Sequence, residues 1–546
     1  MQSVDSATRR QSALRLVVAA LAWLGFPRLK HRYELRAAWG MPGDKTGWLA
    51  SKYFDLSRTA ATAAVVNDKT WADLEFPSLF LQLDTTITPA GRQYLFRQLR
   101  TFDFDPTRLA QRHQLYDRLR TDAPVREEIQ LTLTPLDREA TAQLAGVLLG
   151  PPVEPLKYEA LIVPWALLSV LIVAGATIHL VPIPICGALL LFNALFAWNR
   201  HPQLNVKAEG MSGCPRLLGV AARLASIRGS DGLAALPRLA GASQMHGSLR
   251  SQMRLLAWLD RLRDITFMGG LIVLLSACFL LRLAVYAHSV RKFMRHRPQW
   301  LTVFDLVGEA DASLAVANFL QRHPRHCRPV VATERVISFR NGYHPLLAAP
   351  VPNSIALVNR SALVTGSNMA GKTTFIKMVG MNIILGHTLG ICLADEATIP
   401  HSGVMALIRG DQSVESGKSR YFAEVEVIRD FVDQASSGAT RVFILDEPFS
   451  GTNTIERLGA ARAVLHAIAA NAQVLVTTHD VELQHLLGSG FELFHFQEDP
   501  AVEGFFDYRL RTGAGTQRNA IKVLERLGFP PEIIAAALAT IERQAT

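Results

Sequence analysis

The stretch Ser361-Ala-Leu-Val-Thr-Gly366-Ser-Asn-Met-Ala-Gly371-Lys372-Thr373-Thr374 decides how this 546-residue chain is read. Ser361–Thr365 predicts a buried strand, G-x-x-x-x-G-K-T follows it, and Phe375–Leu385 is compatible with a helix. A strand that enters a glycine-bounded loop and leaves as a helix is a phosphate cradle. The two glycines let the backbone curl so that its N–H groups face phosphate oxygens, and the helix N-terminus adds its dipole. Gly366, Ser367, Asn368, Met369, Ala370, Gly371, Lys372, Thr373 and Thr374 are the candidate nucleotide-binding residues. Lys372 is placed to neutralise the β and γ oxygens, and the Thr373 hydroxyl to ligate Mg²⁺. ATP and Mg²⁺ are therefore the expected cofactors.

A partner element lies 74 residues beyond Lys372, where Arg441-Val-Phe-Ile-Leu-Asp446-Glu447-Pro448 runs four apolar residues into two carboxylates. At the end of a buried strand, Asp446 can hold Mg²⁺ through water, and Glu447 is positioned to polarise the attacking water. A third apolar strand, Val474-Leu-Val-Thr-Thr-His479-Asp480, ends in a histidine. His479 is the candidate sensor of the γ-phosphate.

These residues resemble the ATPase domain of the MutS family, within the wider ABC-type ATPases. The loop is similar to that family's G-P-N-M-G-G-K-S-T, with departures at Ser367, Ala370 and Thr373 that remove no phosphate ligand. Ser416-Gly-Lys-Ser419-Arg-Tyr-Phe-Ala-Glu424 resembles S-G-R-S-T-F-x-x-E. The resemblance implies that Ser419 reaches ATP held by a partner subunit and is catalytic in trans. Asn341-Gly-Tyr-His344-Pro345 resembles the N-G-R-H-P that opens the domain, and Gly513–Ile534 the closing helices that help the family dimerise. Upstream, Leu83-Asp-Thr-Thr-Ile-Thr-Pro-Ala-Gly91 is similar to the start of the family's helical core, and Leu301–Pro329 to the stretch leading into the ATPase. A homodimer is implied, and double-stranded DNA, mismatched or branched, is the implied partner in a repair-like role. The core begins near residue 70, which leaves no room for the family's mismatch-reading and connector domains.

Composition bounds the remainder. Hydrophobic residues make up 49% and charged residues 19%, which excludes a disordered chain. At roughly 150 residues per domain, three or four domains are expected. Residues 1–330 carry 39 Lys+Arg against 25 Asp+Glu, whereas 331–546 carry 18 against 22. Anything anionic should therefore meet the first part of the chain. Five scattered cysteines without a C-x-x-C pair exclude a zinc ribbon and a disulfide framework, and point to a reducing, cytosolic setting.

Mean hydropathy is +0.16, high enough to suggest that a segment meets lipid. Ala160–Ile178 and Leu180–Trp198 are uncharged runs of 19 residues each, and Ile265–Leu281 is one of 17, all near the length of a membrane span. The first two read as a transmembrane hairpin in the place where the resembling family inserts its DNA clamp. An even number of crossings keeps both parts of the core on one side, so Ile265–Leu281 reads as a core-packed lever helix. Leu16–Phe26 reads as an amphipathic, interfacial helix rather than a signal peptide.

The expectation is thus an α/β P-loop, ABC-type ATPase domain C-terminal to an all-α core and lever domain, with a transmembrane helical hairpin inserted in the core. Its parts are an N-terminal segment 1–69, core 70–150, hairpin 151–200, lever and core 201–330, and ATPase with dimerisation helices 331–546. That places the chain in an inner or plasma membrane as a multi-pass protein, lipid-bound, with a cytoplasmic ATPase domain. Two other readings are kept: a transporter-like ATPase, disfavoured because no L-S-G-G-Q precedes Asp446, and a membrane scaffold ATPase that binds no DNA.

Overall fold

The computed structural model describes residues 27–43, 50–58, 64–136, 139–151, 159–227, 269–367, 370–408, 420–437, 442–498, 506–515 and 528–545. Asn368, Met369, Ser419 and the run Leu16–Phe26 lie outside them. The chain divides into two compact units, one of residues 1–62, 81–97 and 114–322, the other of 63–80, 98–113 and 323–546.

The first unit is helical among its described residues. A core helix, Arg297–Arg322, is buried along most of its length, with Trp300, Phe304, Val307 and Phe319 in contact with no solvent. The Leu83–Gly91 motif earns its composition here. Asp311, fully buried on that helix, accepts hydrogen bonds from the Ile87 and Thr88 N–H groups (2.9 and 2.7 Å) and from the Thr88 hydroxyl (2.7 Å). Thr88 Oγ1 in turn accepts from the Gly91 N–H at 2.9 Å, which caps the helix beginning at Pro89. A Cβ on Gly91 would lie 2.1 Å from Asp311 Oδ2, so only glycine permits the approach. Asp84, also buried, is paired with Arg92 at 2.8 Å.

The expected transmembrane hairpin is corrected by this unit. Among the described residues no helix is long and apolar enough to cross a membrane. The multi-pass placement in an inner or plasma membrane falls with it, and the lipid partner rested on the same runs. The first run forms a helix, Glu159–Thr177, with Pro164 inside it. The second is only the opening half of Ile183–Ser212, which continues through the polar residues after Trp198. Ile265–Leu281 is divided: one helix covers Gly269–Cys278, Leu280 takes a positive φ of 50°, and a second helix covers Leu281–Arg295.

The physical reason is that part of this apolar character serves helix packing within the unit. Ile162 and Ala166 pack with Leu280, Leu283 and Ala287 in one buried cluster. Trp165 Nε1 donates to Asn193 Oδ1 (2.9 Å), and Asn193 Nδ2 donates to Ser169 Oγ (3.0 Å) and to the Cys278 carbonyl (2.8 Å). Hydropathy scores such a bundle as it scores a span. The outward faces of the same helices leave Leu161, Leu167, Leu171, Leu195 and Trp198 exposed, as is Leu180 in the turn between them.

The second unit carries two sheets. The larger has six strands in the order β10-β9-β4-β8-β7-β6: β4 is Ser361–Thr365, β6 Val404–Leu407, β7 Val442–Asp446, β8 Gln473–Thr478, β9 Phe491–Glu498 and β10 Phe506–Thr512. All its pairings are parallel except β9 with β10. Every residue of β4, β7 and β8 is buried, as strands covered on both faces require, which explains their unbroken apolar runs. The smaller sheet has the order β1-β5-β2-β3, with β1 Val330–Ala332, β2 Val336–Gly342, β3 Asn353–Val358 and β5 Glu396–Pro400. The edge strand β6 is not left bare. Thr70 Oγ1 accepts from the Ala406 N–H (3.0 Å) and Asp73 Oδ2 accepts from the Ile408 N–H (2.8 Å), both from the early segment that belongs to this unit.

Candidate active site

Parallel register brings the chemistry of three strands to one edge. Thr365 pairs with Thr478, and Asp446 with Thr477, so β4, β7 and β8 end in a row. In open α/β sheets this carboxyl edge, where neighbouring strands lead off to different helices, is where ligands bind. The loop after β4 begins at Gly366, whose φ is +142° and whose Cβ would lie 2.8 Å from the Phe496 carbonyl oxygen. It ends at Gly371, left-handed at φ +101°, from which the helix Lys372–Thr388 starts.

Lys372 is buried, with its Nζ donating to the carbonyls of Gly366 (2.8 Å) and Ser367 (2.9 Å) and lying 3.6 Å from Glu447 Oε1. Burial pushes the ammonium's pKa down, and Glu447 and Asp446 oppose that shift. Thr373 Oγ1 donates to both oxygens of Asp446, at 2.9 and 3.1 Å. Thr477 Oγ1 donates to Asp446 Oδ1 as well. A hydroxyl beside a buried carboxylate is a hard, all-oxygen donor set that fits Mg²⁺, which keeps several waters of its own.

Glu447 has its backbone N–H on the Thr477 carbonyl (3.1 Å) and a left-handed φ of +48°. Its side chain stands between Lys372 and His479, whose Nδ1 is 3.6 Å from Glu447 Oε2. Two residues on, the Phe449 N–H donates to Glu424 Oε1 at 2.6 Å, which anchors the turn. Glu447, His479, Lys372, Thr373 and Asp446 are thus brought together, with Gly366, Ser367, Ala370, Gly371 and Thr374 around them.

A cavity of about 450 Å³ opens beside this cluster. Lys372, Thr373 and Glu447 line it, together with Val351, Phe496 and Tyr508. His344 also lines it; burial holds its pKa down to about 4, so its imidazole is neutral at pH 7.

Sequence reading does not single out Thr477, Arg457, Asp480 or Tyr508. Thr477 is one apolar-strand residue among several, and Arg457 is one charge on a surface helix. Only the proximity of Asp480 to His479 offered a signal.

Residues 362–544 match the family model described as MutS domain V. Among curated proteins, the DNA mismatch repair protein MutS of Thermus thermophilus is 28% identical over 246 residues, covering 44% of this chain and 30% of that protein. MutS of Chloroflexus aurantiacus is 30% identical over 259 residues, covering 44% and 26%. Endonuclease MutS2 of Streptococcus equi is 28% identical over 247 residues, covering 43% and 30%. The matched region spans less than a third of each of these relatives. The matches support a MutS-like ATPase domain at residues 362–544.

Proposed function

We propose that this ATPase works as a homodimer and couples ATP hydrolysis to binding of double-stranded DNA, mismatched or branched, in a repair-like role. The observation that carries the hydrolytic half is the convergence of Lys372, Thr373, Asp446, Glu447 and His479 at the carboxyl edges of β4, β7 and β8, beside a cavity that Lys372, Thr373 and Glu447 line. The 366–374 backbone and Lys372 bind the triphosphate, the lysine exchanging its loop carbonyls for β and γ oxygens. Thr373 and Asp446 hold Mg²⁺, which when bound supplies charge neutralisation at the phosphates. Glu447 accepts the proton of the attacking water and keeps that water in line with the γ-phosphorus. His479, on the far side of Glu447, donates to the γ-phosphate oxygens. Ser419 of one chain completes the site of the other.

The DNA half is supported by the likeness to the DNA mismatch repair proteins of Thermus and Chloroflexus and by the basic excess of residues 1–330, 39 Lys+Arg against 25 Asp+Glu. The test measures ATP turnover and DNA binding by the full-length chain. Glu447→Gln keeps the side-chain shape without the base, so it should retain ATP and slow turnover by about 10²-fold or more. Binding of mismatched and branched duplexes should weaken steeply as salt rises. Unmodified turnover in Glu447→Gln removes the base assignment, and salt-independent or absent duplex binding removes the DNA half.

A further inference from the structure

We infer that Arg457 and Asp480 are a positioning pair that holds His479 against Glu447. The inference rests on the proposed roles of Glu447 and His479. Asp480 directly follows His479, just past the end of β8, and Arg457 sits in the first turn of the helix Thr454–Ala469. The guanidinium grips the carboxylate with two parallel bonds, Nε to Oδ2 at 2.7 Å and Nη2 to Oδ1 at 2.8 Å. Both side chains are largely withdrawn from water, 13% and 10% exposed. A fork of this kind fixes orientation as well as charge.

The remaining bonds show what is being fixed. Arg457 Nη1 donates to the Thr452 carbonyl (3.4 Å) and Nη2 to Thr454 Oγ1 (3.3 Å), which ties the fork to the turn before its helix. The Asp480 N–H donates to Thr478 Oγ1 at 3.0 Å, which fixes the carboxylate's own backbone. The His479 ring is 45% exposed and lies between two carboxylates, with Nδ1 3.6 Å from Glu447 Oε2 and Nε2 3.7 Å from Asp480 Oδ1. A half-exposed histidine at a strand end has few contacts to choose its rotamer. The Asp480 carboxylate, immobilised by Arg457, supplies a fixed wall on the side away from Glu447. A purely structural role, stapling the helix to β8, predicts a different outcome from one that acts through His479.

The experiment is a double-mutant cycle in the full-length chain, read by kcat, KM for ATP, fluorescent-nucleotide affinity and thermal unfolding. His479→Ala should lower kcat. Asp480→Asn, nearly isosteric, should lower kcat roughly tenfold with KM and nucleotide affinity within about twofold. The double variant should be no slower than His479→Ala alone, because the pair has nothing left to position. Arg457→Lys, which keeps the charge but not the fork, should retain more kcat than Arg457→Met. Additive losses in the double variant, or losses of KM and affinity that track a lowered unfolding temperature, overturn the inference in favour of a staple. Unmodified kcat in Asp480→Asn with a slow His479→Ala removes the pair alone. Unmodified kcat in His479→Ala removes the proposed role of His479 and the pair with it. Should Asp480→Asn fail to fold, the comparison of Arg457→Lys with its His479→Ala double variant decides the same question.

Discussion

In the proposed site Lys372 supplies counter-charge to the nucleotide, and its surroundings set what its removal should cost. Its ammonium is buried among the loop carbonyls and two carboxylates, with its pKa pushed down chiefly by loss of water. Bound phosphate restores the anionic partners that burial otherwise withholds. Lys372→Ala should weaken ATP binding by about 100-fold or more, the scale of one desolvated charge-assisted contact. Titration of the variant with a fluorescent ATP analogue reads this directly, and affinity within threefold of the unmodified chain contradicts the assignment. The backbone at Glu447 adds a second mark of specialisation. A non-glycine residue at φ +48° is uncommon, and such conformations persist where the surroundings over-determine them. Here the Thr477 carbonyl and hydroxyl receive the Glu447 N–H, which turns the side chain towards Lys372 and His479. The spacing of Asp446 and Glu447 was readable in the sequence; the contribution of Thr477, 30 residues away, was not.

At the scale of elements, the helix Lys372–Thr388 links the phosphate loop to the small sheet. His387 near its end is fully buried, with Nε2 at 2.8 Å from the Pro400 carbonyl of β5, and burial holds its pKa down to about 4. His344, past the end of β2, is buried and neutral for the same reason. In the unfolded chain both titrate near the ordinary histidine value, roughly 6.5. Their folded pKa values are therefore depressed, and the unfolded state binds more protons at acidic pH. The stability they contribute is present above about pH 6.5 and is lost as pH falls towards 4. Thermal unfolding of the full chain should show a midpoint that drops across this window. His387→Gln should flatten part of the drop, and a pH slope unchanged in that variant speaks against the assignment. The strands β4, β7 and β8 were legible as apolar runs because both their faces are covered. The helical packing of residues 160–198 was not, because an apolar run satisfies a bundle and a span alike.

For the whole molecule, the proposed dimer makes a prediction that one chain cannot meet alone. In that dimer Ser419 would not be needed to hold ATP in its own chain, whose phosphates the 366–374 loop would serve. A hydroxyl supplied in trans couples hydrolysis to association. Mixing Lys372→Ala chains with Ser419→Ala chains should restore turnover, since the site able to bind ATP is completed by the partner's intact Ser419. No recovery at any ratio, with mixed dimers demonstrated, rejects the composite site.

The sequence by itself determined the phosphate loop, the carboxylate strand and the histidine strand, because each of these is contiguous and its chemistry follows from local spacing. It also carried the Leu83–Gly91 motif, though not the reason for it, which is Asp311 more than 200 residues away. Tertiary structure alone decided which residues meet. Parallel register aligned Asp446 with Thr477, the Arg457–Asp480 fork closed across 23 residues, and Thr70 and Asp73 covered the edge of β6. It also decided that the runs at 160–198 form helices sharing a buried polar network at Asn193. Spacing along a chain fixes which groups are available within one loop or strand, whereas pairing between distant segments depends on the packing that brings their backbones together.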